Sequence, residues 1–261
     1  MPLSANFGSA TTQLTPNPPP ARTRPSRLHL LSMSPESTFQ PTSIDGVFTF
    51  EPVIHGDSRG SFHEWYRLDA FAEATGYPFF PEQANMSVSA AGVVRGLHFA
   101  DVSTAPDGHP GQAKLVTCPA GHILDIAVDL RRGSDTFGKV EVFELDSKTR
   151  RVVYLPNGIG HGFVSLADDS VLTYLTSTGY NPEAERAVSI QDPTLGIDLA
   201  ALLAKGGLTE ADMILSERDQ KAPTIEQFEA EGNKLPSEFD CKDLENMARD
   251  EWAIANEAAG Q

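Results

Sequence analysis

The chain has 261 residues, with 36 acidic and 20 basic side chains and a formal net charge of -16. A chain this acidic is poorly suited to bind a phosphate backbone along its length, so we expect no nucleic-acid partner. No apolar run approaches the roughly 18 residues that a membrane span needs, and we expect a cytoplasmic protein without membrane contact. Its two cysteines, Cys118 and Cys241, have neither the spacing nor the neighbouring histidines of a zinc site.

Residues 1–42 differ in composition from the rest of the chain. They are rich in Ser, Thr and Pro, include the run Pro18-Pro19-Pro20 and lack the apolar stretch of a secretory signal. This composition predicts a disordered tail, because it offers too little apolar surface to bury. Whether Met33 is the true start stays open.

A β domain is predicted over residues 43–225. The stretch 122–131 alternates strictly, with Leu124, Ile126, Val128 and Leu130 on one face and Asp125 and Asp129 on the other. Further short strands are predicted at 140–145, 150–155, 163–166 and 170–175, separated by turns rich in Gly, Pro and Asp. Only 69–75 and the C-terminal segment have helical patterns. Such short strands at short spacing are typical of a sandwich or barrel, and no dinucleotide-binding or phosphate-loop motif is found.

The acidic segment 226–261 is predicted to be a solvated or loosely docked tail. Within it, residues 242–258 have the spacing of a short amphipathic helix, with Leu244, Met247 and Trp252 on one side.

Several side chains within the β domain could carry chemistry. His98 follows Arg95-Gly-Leu and is a candidate base, because histidine titrates near neutral pH. Lys114 begins an apolar stretch and Tyr174 lies within one, although a solvated lysine and a packing tyrosine are equally compatible with the pattern. The turn Pro156-Asn-Gly-Ile-Gly-His161 delivers a second histidine. Metal-binding barrels of this kind add an earlier His-x-His followed by Glu, which is missing, so we expect no metal.

A series of stretches between Phe48 and Ala222 carries a family resemblance. They are Asp57-Ser-Arg-Gly-Ser-Phe-His-Glu64, Gln83-Ala-Asn85, Gly92-Val-Val-Arg-Gly-Leu-His-Phe99, Gln112-Ala-Lys-Leu-Val116, the segments 125–134 and 136–139, Pro156 to Phe163, and the segments 191–198 and 215–219. Each stretch by itself is weak evidence for a family. In this order and spacing, they resemble the dTDP-4-dehydrorhamnose 3,5-epimerase family.

The resemblance implies an all-β fold, a cupin-type jelly-roll β-barrel with a few short helices. It also implies a homodimer with sites completed across the interface, and dTDP-4-dehydro-6-deoxy-D-glucose as the substrate, inverted at C3 and C5 without a metal or other cofactor. The implied catalytic residues are His98 as base, Asp219 as the carboxylate that pairs with it, Tyr174 as acid, and Lys114 near the ketone oxygen. The implied substrate-binding residues are Arg59, Glu64, Gln83, Asn85, Arg95, His161, Tyr180, Glu185 and Arg218.

The chain also departs from the family pattern. Ala100 stands where the family often has Gln, the loop 101–111 is longer than usual, and Ile190-Gln191 replaces a common Trp-Asn pair. These departures concern substrate specificity more than the chemistry. They leave open an epimerase acting at a single carbon, a ketoisomerase on the same barrel, and a non-catalytic barrel that binds a nucleotide sugar.

Overall fold

The computed structural model describes residues 39–105 and 108–259. The predicted tail up to residue 38, including Met33, lies outside the described residues, as do positions 106 and 107 of the long loop. In the described part of the chain, no helix is long and apolar enough to cross a membrane.

Short strands make up most of the fold. They are β1 (Gln40–Pro41), β2 (Phe48–Phe50), β3 (His55–Asp57), β4 (Gly60–Phe62), β5 (Gln83–Ser89), β6 (Val93–Ala100), β7 (Lys114–Ala120), β8 (His122–Asp129), β9 (Val140–Asp146), β10 (Val152–Leu155), β11 (Ile159–Ser165), β12 (Ser170–Thr176), β13 (Glu185–Ala187) and β14 (Ile214–Leu215). The helices are α1 (Leu68–Thr75), α2 (Leu199–Ala204), α3 (Glu217–Gln220), α4 (Ile225–Ala230) and α5 (Glu238–Ala259).

Two mainly antiparallel sheets face each other. The first has the strand order β1-β2-β10-β7-β12-β5, and the second has the order β13-β6-β11-β8-β9, with β14 running parallel to β6. Side chains from both sheets meet between them, including Val116 and Leu172 from the first and Ile123 and Phe163 from the second. This arrangement confirms the predicted all-β jelly-roll barrel with a few short helices.

Helices cover the outer faces of both sheets. Phe71 of α1 packs on Val152 and Tyr154 of the first sheet, and its ring centroid lies 4.7 Å from that of Tyr154. Phe228 of α4 packs on the second sheet, with its ring 5.8 Å from that of Phe99. Central strands therefore have both faces buried.

Strand β8 shows the consequence for the predicted alternation. Leu124, Ile126 and Val128 belong to the cluster that the C-terminal helices cover. Asp125 and Asp129, on the opposite face, are fully buried as well. The predicted alternation is confirmed, but its polar face points into the barrel rather than to solvent.

Two parts of the strand and helix assignment were wrong. The strand predicted to begin at Phe163 starts at Ile159, because its glycines serve packing rather than a turn. A Cβ on Gly162 would lie 2.6 Å from the carbonyl oxygen of Arg95 on the neighbouring strand. The helices α2, α3 and α4 were not predicted, because helices of four to six residues are too short to show a helical period.

The C-terminal helix contacts the rest of the chain near its start and at Trp252, while most of its other side chains are exposed or partly exposed. Helix α5 confirms the predicted helix and extends it at its start. Cys241 on α5 is fully buried, and the Trp252 ring lies 6.0 Å from that of Phe80, whereas Met247 is exposed. The domain limits at 42 and 225 stay predictions, and buried residues lie beyond both of them.

A buried ion pair anchors the end of β8. Arg131 donates through Nε and Nη2 to the two carboxylate oxygens of Asp129, at 2.9 and 2.8 Å. The hydroxyls of Ser134 and Thr136 donate to the same carboxylate, each at 2.6 Å. Burial alone would raise the pKa of Asp129, but these hydrogen bonds outweigh it and hold the pKa below its usual value.

We expect Asp129→Ala to lower the free energy of unfolding by about 3–5 kcal/mol, because it leaves the Arg131 guanidinium buried without its counter-charge. Urea denaturation followed by circular dichroism measures the change. The matched control is Glu144→Ala, which removes an exposed contact of 2.8 Å with His122 and should change the stability by less than about 1 kcal/mol. Equal effects of the two substitutions would contradict the prediction.

Candidate functional site

A cavity of about 400 Å³ lies inside the barrel. It is lined by strands of both sheets and by the segment that follows β12. Most of the predicted site residues meet there: His98, Tyr174, Lys114, Gln83, Asn85, Arg95, His161, Tyr180 and Glu185. Residues 83 to 185 are distant in sequence, and the barrel brings them to one pocket.

Strand β5 turns its polar side chains toward this pocket. Gln83, Asn85 and Ser87 line it, whereas the alternate residues Met86 and Val88 are 67% and 57% exposed. The Gln83 side chain donates to Asn85 Oδ1 at 2.7 Å. A strand with one solvated face ordinarily has apolar side chains on the inner face and polar side chains on the outer face. Strand β5 has the reverse arrangement, with polar side chains inside and apolar side chains outside.

His98 and Asp219 form a close pair at one side of the pocket. His98 Nε2 on β6 lies 2.7 Å from Asp219 Oδ1 on α3. The Ser216 hydroxyl donates to Asp219 Oδ2 at 2.9 Å, which fixes the carboxylate from behind. Asp219 is only 4% exposed. Burial would raise the pKa of Asp219, but the hydrogen bonds from His98 and Ser216 prevail and lower it.

A second histidine and carboxylate pair lies beside the first, since His161 on β11 is directly opposite His98 on β6 in the strand register. His161 Nε2 is 2.7 Å from Asp125 Oδ1, and Oδ2 of this buried carboxylate has no hydrogen-bond partner among the described residues. Sequence reasoning did not assign Asp125 to the site. The signal was present, however, because the alternation of β8 placed Asp125 opposite the apolar face.

Lys114 is buried beside these groups. Its side chain is 8% exposed and lines the pocket, so the inward orientation is the observed one. Burial lowers the pKa of Lys114, while the negative charges of Glu185 and Asp125 act in the opposite direction.

Tyr174 contributes a half-buried phenol to the same pocket. It lies on β12, directly opposite Asn85 in the register with β5. Burial raises its pKa, the charge of Glu185 adds to this effect, and Arg95 opposes it. Tyr174 is therefore a protonated hydroxyl at neutral pH, which can donate a proton or a hydrogen bond.

Three predicted binding residues do not line the pocket. Arg59 is 89% exposed on the β3–β4 hairpin, where it pairs with Asp57 at 2.6 Å. Glu64 is also exposed, and its nearest cation is Arg67 at 3.8 Å. Arg218 lies nearer to the pocket, because its Nη2 is 3.9 Å from Oε1 of the pocket residue Glu185.

Two further polar residues line the pocket and were not assigned from the sequence, Ser87 and Gln112. Gln112 stands inside one of the family-like stretches, which was the available signal. Among residues 39–105 and 108–259, no group of three or more His, Cys, Asp or Glu side chains could hold a metal ion. That the protein uses no metal stays a prediction.

Comparisons with known proteins found a matching family model and several similar relatives. A family model described as dTDP-4-dehydrorhamnose 3,5-epimerase matches residues 41–227. A dTDP-4-dehydrorhamnose 3-epimerase from Streptomyces niveus is 44% identical over 203 residues, which are 78% of this chain and 90% of the relative. A dTDP-4-dehydrorhamnose 3,5-epimerase from Mycolicibacterium smegmatis is 42% identical over 205 residues, 78% of this chain and 94% of the relative. The solved structure of a 3'-monoepimerase from Streptomyces bikiniensis in complex with dTDP-quinovose has a TM-score of 0.70 and 40% identity, and the match covers 80% of this chain and 98% of that one.

We expect His98→Ala to raise the pKa of Asp219, because burial then acts on this carboxyl without the opposing hydrogen bond. In the wild type, the lowered pKa adds stability above the unfolded value of about 3.9, and this stability is lost as pH falls through the folded pKa. The variant should therefore lose less stability on acidification. Carboxyl carbon NMR of Asp219 measures the shift, with His122→Ala as control. An unchanged pKa of Asp219 in His98→Ala would refute the coupling.

Proposed function

Because the chain belongs to the dTDP-4-dehydrorhamnose 3,5-epimerase family, we propose that it inverts C3 and C5 of dTDP-4-dehydro-6-deoxy-D-glucose and forms dTDP-4-dehydro-L-rhamnose. One observation carries the proposal. The carboxylate-paired His98 shares a single pocket with Tyr174 and Lys114. These three groups can remove a proton beside a ketone, stabilise the enolate that forms, and return the proton. The proposed reaction uses no metal or other cofactor.

His98 acts as the base in this mechanism. With its Nε2 hydrogen donated to Asp219, the neutral ring keeps its lone pair on Nδ1, which accepts the proton from carbon. Asp219 holds this tautomer and stabilises the imidazolium that forms, as the carboxylate of a catalytic triad does. The hydrogen bond from Ser216 to Asp219 limits the freedom of the carboxylate and hence of the ring.

Lys114 stabilises the intermediate. Loss of the proton leaves an enolate with negative charge on the C4 oxygen. A donor fixed in a water-poor pocket stabilises such an oxyanion by about 3–4 kcal/mol in comparable sites. The burial of Lys114 provides this environment, and the nearby Asp125 and Glu185 offset the cost of burying an ammonium group.

Tyr174 returns the proton on the opposite side of the sugar ring. Removal by His98 from one face and delivery by Tyr174 to the other invert the carbon. The raised pKa of Tyr174 keeps the phenol protonated until the enolate, a stronger base, draws the proton away.

The remaining pocket residues suit a nucleoside diphosphate. Arg95 offers a guanidinium fork for a phosphate, and the half-exposed ring of Tyr180 can stack on the base. Gln83 and Asn85 supply amide groups, and Gln83 Oε1 accepts from the backbone N–H of Tyr180 at 2.8 Å. The guanidinium of Arg95 therefore provides a positive charge for an anionic substrate within an otherwise acidic protein.

A second candidate is epimerisation at C3 alone. It is favoured by the relative from Streptomyces niveus, which is named as a 3-epimerase and has 44% identity. The two activities use the same base and differ in whether the intermediate presents its second carbon to the same base before release.

We further propose a cytoplasmic homodimer with sites shared between subunits. The outer face of β5, at the edge of its sheet, exposes Met86 and Val88, which a second copy would cover. In this arrangement, the hairpin of one subunit carries Arg59 and Glu64 to the pocket of the other. This accounts for why both side chains lie outside the pocket of their own chain.

Incubation with the dTDP-4-dehydro sugar in heavy water, with chelator present, tests the chemistry by NMR. The wild type should incorporate deuterium at C3 and C5 and form the L-lyxo product. His98→Ala should lower exchange at both carbons by at least about 100-fold, because it removes the base. Tyr174→Phe should exchange deuterium without full inversion, because only proton delivery is lost.

Deuterium at C3 alone would favour the 3-epimerase. The control His122→Ala lies outside the pocket and should match the wild type. Binding of dTDP without any exchange in the wild type would leave only a nucleotide-sugar-binding barrel, and chelator-sensitive exchange would contradict the metal-free mechanism.

Mixing two inactive variants tests the shared site. Arg59→Ala lacks the hairpin arginine, and His98→Ala lacks the base. A mixed dimer contains one pocket with both residues intact, so an equal mixture, unfolded and refolded together, should recover roughly a quarter of the wild-type activity. No recovery, or full activity of Arg59→Ala alone, would contradict the sharing of the hairpin.

A further inference from the structure

The loop between β6 and β7 borders the pocket. It joins the strand that carries His98 to the strand that begins at Lys114. Its last residues include Gln112, which lines the pocket. The loop therefore ends at a residue of the pocket wall.

The start of the loop is bound to one wall of the pocket. Asp101 forms an ion pair with Arg186, and its backbone N–H donates to Ala184 O at 2.9 Å. These contacts flank Glu185, which lines the pocket and pairs in register with Ala100.

The end of the loop is bound to the segment that follows β12. The Thr178 hydroxyl donates to Gly111 O at 2.8 Å, and Gln112 Nε2 donates to Thr178 O at 3.4 Å. Thr178 lies two residues before Tyr180, the ring proposed to stack on the base. Both ends of the loop are thus bound to the segment 178–187, which contains Tyr180 and Glu185.

Asp240 ties the loop to the C-terminal helix. Its Oδ1 accepts from the Thr104 hydroxyl at 3.0 Å and from the Thr104 backbone N–H at 3.4 Å. Its Oδ2 accepts from the hydroxyl of Ser237 at 2.6 Å, and Ser237 Oγ accepts from the Asp240 backbone N–H at 3.0 Å. Oδ2 of Asp240 therefore accepts a hydrogen bond at the start of the helix, and Oδ1 accepts the hydrogen bonds from the loop.

The segment around Asp240 is itself firmly held. Arg132 N donates to Pro236 O at 2.8 Å, and Glu238 N donates to Arg132 O at 2.9 Å. Leu235 and Cys241, on either side, are buried. The tether therefore runs from a segment that is hydrogen-bonded to Arg132, just after β8, and lies beyond residue 227, where the family match ends.

We propose that Asp240 is a positioning residue that holds residues 101–105 and 108–113, the described parts of this loop, through Thr104, and that this tether sets the affinity of the pocket for its nucleotide sugar. The inference rests on the proposed function. The tether acts on the spacing of Gln112, Tyr180 and Glu185, which line the pocket, and not on the proton transfer by His98. Loosening it should weaken binding and leave the chemical step intact.

Thr104→Val tests the tether cleanly, because it removes the hydroxyl donor at nearly constant volume and leaves the helix start unchanged. We expect KM for the dTDP-4-dehydro sugar and the dissociation constant for dTDP to rise at least roughly fivefold, with kcat within about twofold of the wild type. Asp240→Ala should raise both constants at least as much. The double variant should show no further rise beyond Asp240→Ala, because both substitutions break one contact.

Ser237→Ala is the matched control. It removes the contact of Asp240 with the helix start but keeps the contact with Thr104, so it should lower the melting temperature and leave KM unchanged. Rescue by Thr104→Ser, which restores a hydroxyl, should return KM to the wild-type value.

Three results would overturn the inference: an unchanged KM in Thr104→Val, an equal rise of KM in Ser237→Ala, or additive effects in the double variant. A wild type that binds dTDP but does not convert the sugar would instead refute the proposed function. In that case, the dissociation constants for dTDP still decide whether the tether acts.

Discussion

Charged side chains enclosed between two sheets have to be paired within the barrel, because an isolated charge loses its hydration there and regains nothing. The structure meets this constraint in two places with opposite consequences. Asp129 is saturated by Arg131, Ser134 and Thr136, and this cluster stabilises the fold. Around the pocket the pairing is incomplete, since Oδ2 of the buried Asp125 carboxylate has no hydrogen-bond partner among the described residues.

Incomplete pairing has a clear pattern. Each histidine of the pocket has a carboxylate on its Nε2, His98 with Asp219 and His161 with Asp125. Lys114 has acidic neighbours but lies buried. The barrel holds these groups in position around the cavity.

The same constraint organises the outside of the barrel. A polar interior requires that apolar side chains find cover elsewhere, and the outer faces of both sheets receive it from α1, α2 and α4. Strand β5 is the exception, since Met86 and Val88 remain exposed. The polar face of β5 therefore lines the pocket, and its apolar face is the surface proposed to form the dimer. The C-terminal helix adds a tether to the loop that borders the pocket, and in this way a segment beyond the family match takes part in the site.

The sequence by itself determined the period of β8, the helix at 69–75 and the family of the chain, because alternation, helical spacing and ordered motifs are local properties of the chain. It named His98, Lys114, Tyr174 and their partner Asp219 through the family resemblance, but it missed Asp125 and Gln112. Only the tertiary structure decided that the polar face of β8 points inward. It also decided that Gly162 lies in a strand, because the close approach of β6 is a contact between distant segments. The pairing of His98 with Asp219 spans 121 positions, and no local pattern specifies which distant side chains a barrel brings within hydrogen-bond distance.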